Sequence, residues 1–73
     1  MLNSWELEAQ RILKAELALK GVTYKQLAIR LESIGVQDSH TAIANRISRG
    51  KFTLAFFLMC MRAIGAAEVR IKL

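Results

Sequence analysis

The chain has 73 residues, 53% of them hydrophobic, with eleven Lys+Arg against six Asp+Glu, a formal charge of +5 and a pI near 10.0. That length holds one domain, spanning residues 1–73, and excludes a second. The longest stretch without charge, Phe52 to Met61, is about half of the ~20 apolar residues a membrane-spanning helix needs, and a single cysteine excludes an internal disulfide or a thiolate metal centre.

The basic balance points to an anionic partner. Residues 1–22 are neutral, with Arg11, Lys14 and Lys20 offset by Glu6, Glu8 and Glu16. Residues 23–51 carry net +3 and residues 52–73 net +2, so the excess starts at the second predicted helix. Glu6 and Glu8 precede any long apolar run, the wrong charge order for a secretory signal, so a cytoplasmic protein is expected. A domain this small buries only about 60% of the surface its unfolded chain exposes. With a mean hydropathy of +0.27, part of its apolar surface is expected to meet a second subunit.

Without proline or internal repeats, caps and glycines mark the elements. Ser4 as N-cap, Glu6 and Glu8 in the first turn and Gly21 as a stop predict a first helix over about 5–20. Its inward face reads Trp5, Ala9, Ile12, Leu13 and Leu19. Glu16 falls within that face and needs solvent or a cation such as Arg30 or Arg49. Thr23, with Gln26 three residues on, is a capping box that opens a second helix over about 24–34, ended by Gly35. Tyr24, Leu27, Ala28, Leu31 and Ile34 share its apolar face.

A third helix, about 39–49, follows Asp38 or Ser39 as cap and stops at Gly50. At 100° per residue His40, Ile43, Ala44 and Ile47 point inward, while Thr41, Ala42, Asn45, Ser48 and Arg49 point outward with Arg46 at the edge. Thr53 caps a fourth helix over about 54–64. It carries two apolar stripes, Leu54, Phe57, Leu58, Met61 and Ile64 on one side, and Phe56, Met59, Cys60 and Ala63 on the other. Four short helices cover one stripe, and the other, Phe56, Met59, Cys60 and Ala63, is expected to be a dimer surface. The tail Glu68-Val69-Arg70-Ile71-Lys72-Leu73 alternates as a half-buried strand does. It is expected to pair antiparallel with its symmetry mate, adding Val69, Ile71 and Leu73 to the interface.

The outward side of the third helix holds the residue types that major-groove recognition uses. Asn bonds adenine in bidentate fashion, Arg does so to guanine, and Ala or Thr methyls touch thymine. Thr41, Ala42, Asn45 and Arg49 are therefore the candidate base readers. Arg46 and Lys51, with Lys25, Gln26, Gln37 and Ser39 at helix starts and in the connection, are the candidate backbone contacts. No Asp or Glu occurs from Ser39 to Ala67, whereas an ordinary solvated surface mixes both signs.

The segment Thr23-Tyr24-Lys25-Gln26-Leu27-Ala28, then Ile47-Ser48-Arg49-Gly50-Lys51 and Ala63-Ile64-Gly65, resembles the helix-turn-helix core of the Cro/cI-like phage repressors. The run from Leu13-Lys14-Ala15-Glu16-Leu17 through Asn45-Arg46-Ile47-Ser48-Arg49-Gly50-Lys51-Phe52 to Phe56-Phe57-Leu58 is more closely similar to a family of small bacterial domains with no assigned function. The chain departs from the repressor pattern between Ala28 and Gly35, seven steps where the repressors have four, and at Ser48, where many carry a glutamate. The resemblance implies an all-α, compact four-helix domain with a helix-turn-helix, to which the alternating tail adds a short C-terminal strand expected in dimerisation.

The expected function is that of a dimeric transcriptional regulator that binds double-stranded DNA, with no cofactor, no metal, no membrane and no small-molecule substrate. A basic helix also suits RNA, although the aromatic residues read as core and not as stacking platforms. The rival reading is a protein-interaction module gripping its partner through Phe56 and Met59. An enzyme is the weakest reading, since one histidine and a few unpaired carboxylates offer no catalytic constellation.

Overall fold

The computed structural model describes residues 3–71. Among these residues there are four helices and no strand: α1 (Ser4–Lys20), α2 (Tyr24–Glu32), α3 (His40–Arg49) and α4 (Leu54–Ala63).

Each helix start is fixed by a side chain that occupies a backbone donor of the first turn. The cap of α1 is Asn3, one residue before the expected Ser4. Asn3 Oδ1 accepts from the Glu6 amide at 2.8 Å while Glu6 Oε1 accepts from the Asn3 amide at 3.0 Å, a reciprocal box that Ser4 cannot form because Leu7 stands three residues after it. Thr23 and Gln26 make the expected box at α2. Ser39 caps α3 through the Ala42 amide and Thr53 caps α4 through the Phe56 amide.

α1 ends on Gly21 in the left-handed region, with the Val22 amide reaching back to the Leu17 carbonyl and Val22 itself buried. α2 stops two residues earlier than expected, at Glu32. The Ser33 hydroxyl donates to the Arg30 carbonyl at 2.6 Å, an alternative to the next helical turn, and the Val36 amide closes onto the Leu31 carbonyl at 3.0 Å.

α3 packs against both α1 and α2, and α2 packs against α4. Leu13 and Leu17 of α1, Leu27 and Leu31 of α2, Ile43 and Ile47 of α3 and Phe56, Phe57, Cys60, Met61 and Ile64 around α4 form the core. His40, expected inward, is exposed. It is the first residue of α3, where no preceding turn stands to cover it.

In α1 the face is rotated from the expected one: Leu13 and Leu17 are buried, Ile12 is half-buried, and Trp5 and Leu19 are 69% and 78% exposed. Glu16 is half-buried and joins neither ion pair found among the described residues.

α4 buries one face that straddles the two predicted stripes. Residues 56, 57, 60, 61 and 64 lie within one broad arc at 100° per residue, and all five are buried. Phe56 and Cys60 are therefore interior, not part of a dimer surface, and Met59 and Ala63 are half-buried against the same core. Exposed instead are Leu54 and Leu58, at 71% and 57%.

The expected strand is absent from Glu68 to Ile71, and Lys72 and Leu73 lie outside the described residues. A lone strand has unpaired donors and acceptors along both edges. Here the segment lies against the helices without regular structure. Val69 packs on the core, Ala67, Glu68 and Arg70 lie by Glu16, Leu19 and Lys20, and Ile71 reaches Ala9 and Ile12. The tail thus runs antiparallel along α1.

Candidate nucleic-acid interface

α3 is held rigidly enough to present a surface. Ile43 and Ile47 anchor its inner side in the core with no exposure at all. Gly50 ends it at φ 64°, in the left-handed region that glycine adopts without strain. A Cβ at Gly50 would overlap the Glu6 backbone carbonyl, so the first turn of α1 lies directly against the end of α3. A second link spans the same junction, with Gln10 Nε2 donating to the Ser48 carbonyl at 2.8 Å. Both links join residues about forty positions apart, and neither carries a signal readable from local spacing.

The outward side is exposed as expected at Thr41, Ala42, Asn45, Ser48 and Arg49. The structure brings Ala42, Asn45, Arg46, Arg49 and Lys51 together around one shallow groove. Lys25, Gln26, Gln37, Ser39 and Thr41 do not line it. Lys25 and Gln26 are exposed in the first turn of α2, and Gln37 is exposed in the connection between α2 and α3. Gln26 has its amide oxygen committed to the Thr23 amide, and Ser39 its hydroxyl to Ala42. In both, the cap uses an acceptor and leaves a donor, the Gln26 Nε2 amide and the Ser39 hydroxyl hydrogen, for a phosphate oxygen.

The three cations of the groove differ in their engagements. Arg46 Nη2 is 3.1 Å from Asp38 Oδ2, and its guanidinium sits 4.7 Å over the centre of the Phe56 ring. One end of Arg46 is thus tied to the start of α3 and its flat face to α4. Lys51 Nζ lies 3.9 Å from Glu6 Oε2 but stays largely exposed. Arg49 has no carboxylate partner among the described residues. Sequence shows no acid on the ridge itself, yet two acids from outside it, Glu6 and Asp38, sit at its margins.

Phe52 stacks on Phe57 at 6.4 Å between centroids and tilts at 5.9 Å against Phe56, the ring that Arg46 covers. Cys60 lies in the same interior. Burial pushes its thiol up to about 12, outweighing the opposing pull of the Arg46 charge, so it is a neutral packing group.

No helix among the described residues is long and apolar enough to cross a membrane. The family described as Domain of unknown function (DUF6471) matches residues 5–69. No curated protein and no solved structure matches the chain.

Proposed function

The chain belongs to this family, a domain of unknown function, and we propose that α2 and α3 act in it as a helix-turn-helix that seats α3 in the major groove of double-stranded DNA. The observation that carries the reading is the exposed outer side of α3, where Asn45 and Arg49 stand four residues apart on one groove with Ala42 and Lys51. Asn and Arg at that spacing share a helix face and match the donor and acceptor edges of adenine and guanine. Lys51, Lys25 and Gln37 are assigned to phosphates, and Thr41 and Ala42 to thymine methyls. Arg46 holds the ridge in shape while adding its charge to the field. The biological role proposed is that of a dimeric, cytoplasmic transcriptional regulator built like a repressor.

The test is a binding titration on mixed genomic DNA at several salt concentrations. If each subunit neutralises about four phosphates, the log affinity of a dimer falls with log salt at a slope of roughly −7. Arg49→Ala is expected to weaken binding by about 1–3 kcal/mol while helical content stays unchanged. No complex even at low salt overturns the proposal.

A second reading, a protein-interaction module on the same scaffold, is favoured by the exposed Leu54 and Leu58. Its mark is a complex with a different protein that persists at high salt, where phosphate contacts have been screened away.

A further inference from the structure

Of the eight large apolar side chains exposed among the described residues, Leu7, Ile29 and Ile34 stand apart, and the other five, Trp5, Leu19, Leu54, Leu58 and Ile71, belong to α1, α4 and the tail. On α1, Trp5, Ala9, Ile12, Glu16 and Leu19 recur at steps of four and three, the spacing of a seam that packs against another helix. The buried residues of α1, Leu13 and Leu17, lie on the adjacent face, while the C-terminal tail borders the seam near Ala9, Ile12, Glu16 and Leu19. Ala9 and Ile12 open onto a groove shared with Phe52, Leu54, Phe57 and Ile71, with almost no polar surface in it. Leu58, one turn beyond Leu54, extends the same side of α4.

We infer that this composite surface, the outer seam of α1 with the exposed side of α4 and Ile71, is where two copies of the chain associate. It concerns the dimer proposed above but does not depend on DNA.

Three features favour a second copy as the occupant. The first is extent. Trp5, Leu19, Leu54, Leu58 and Ile71, each more than half exposed, present roughly 600 Å² of side-chain surface per copy, against the ~800 Å² per partner of a standard interface. The second is shape: a twofold interface must be self-complementary, and this face holds both protruding side chains and a groove to receive them. The third is charge. Each copy carries +5, yet no Lys or Arg lies on the α1 seam, and on the exposed side of α4 Arg62 follows only after Leu54 and Leu58, at the end of the helix. The rim near its C-terminal end mixes Glu16 and Glu68 with Lys20 and Arg70, a balanced polar border of the kind interfaces show. The cationic ridge of α3 cannot meet its own copy without repulsion, whereas this face can.

Trp5 is the single tryptophan and therefore reports on the surface directly. Sedimentation equilibrium of the full chain from about 1 to 300 µM, a range that brackets micromolar association, is expected to give a dimer, with Trp5 emission moving to the blue as concentration rises. Leu58→Asp and, separately, Leu19→Glu are expected to keep the wild-type helical circular dichroism, to sediment as monomers and to hold a red emission at every concentration. Either variant suffices if the other fails to fold. A wild type that stays monomeric throughout overturns the inference. So does a blue shift produced only by vesicles of mixed phosphatidylcholine and phosphatidylglycerol, which assigns the seam to a membrane surface. A dimer that ignores DNA upholds this interface and removes the DNA contact proposed above, and a DNA binder that remains monomeric removes this interface and the dimeric role while upholding the DNA contact.

Discussion

Arg46 and Arg49 stand three positions apart on one helix, and their surroundings give them different work. Arg46 is shared between Asp38 and the Phe56 ring. Both members of the ion pair are partly exposed, so the pair contributes well under 1 kcal/mol, with up to about 1 kcal/mol from the ring contact. Arg46→Ala is expected to lower unfolding free energy by about 1 kcal/mol in urea, and Arg49→Ala to stay within about 0.5 kcal/mol of wild type. On DNA the order reverses, with Arg49→Ala the weaker binder. Equal stability loss in the two variants would contradict the division of roles.

The glycines supply a matched comparison at the same scale. Gly21 and Gly50 have nearly the same positive φ, 65° and 64°, but a Cβ at Gly21 meets nothing within 4 Å while one at Gly50 strikes the backbone of Glu6. Gly21→Ala is expected to cost about 1 kcal/mol, the left-handed penalty alone. Gly50→Ala adds displacement of the first turn of α1 and is expected to cost about 2–4 kcal/mol. Urea midpoints of the two variants check this. Cys60 adds a pH dependence. Its folded value is raised from 9.0 to about 12, so the folded state holds the proton more tightly than the unfolded one. The stability it contributes is complete below pH 9 and declines as pH rises through that window. Cys60→Ala is expected to show a shallower alkaline decline than wild type between those limits in thermal melts.

At the scale of elements, what could be read from sequence is what neighbours within four residues decide. Thr23 with Gln26, Ser39, Thr53, Gly21 and Gly50 all terminate helices where their chemistry places them. The Asn3 cap was equally available, since Glu6 stands three residues after it. The inward side of α3 was legible at Ile43 and Ile47, because only two apolar side chains compete for it, and so was the exposed outer side with Asn45 and Arg49. α4 was not. When residues 54, 56, 57, 58, 59, 60 and 61 are all apolar, periodicity cannot choose which arc faces the core, and the choice falls to the position of α2. The tail misled for a related reason: its alternation needs no strand partner, since Val69 packs on the helical core while Ile71 stays more than half exposed beside α1. The contacts of Gln10 with Ser48 and of Arg46 with Asp38 depend on helix placement and leave no local trace.

At the scale of the molecule, the two surfaces couple. A monomer offers α3 once, whereas a dimer built on α1 and α4 offers it twice, and counterion release counts the phosphates neutralised by the whole complex. Leu58 lies outside the groove of α3, so Leu58→Asp leaves the DNA-facing chemistry of each subunit intact while separating the copies. Its affinity for DNA is therefore expected to fall, and its log affinity against log salt is expected to have a slope near −4, about half the dimer value, for about four phosphates per subunit. Arg49→Ala in the dimer acts differently, since it removes a base contact and no assigned phosphate contact from each subunit: affinity falls while the slope stays near the dimer value. Titrating the two variants over the same salt series separates loss of a subunit from loss of a side chain. If Leu58→Asp keeps the full dimer slope, the copies meet elsewhere or not at all.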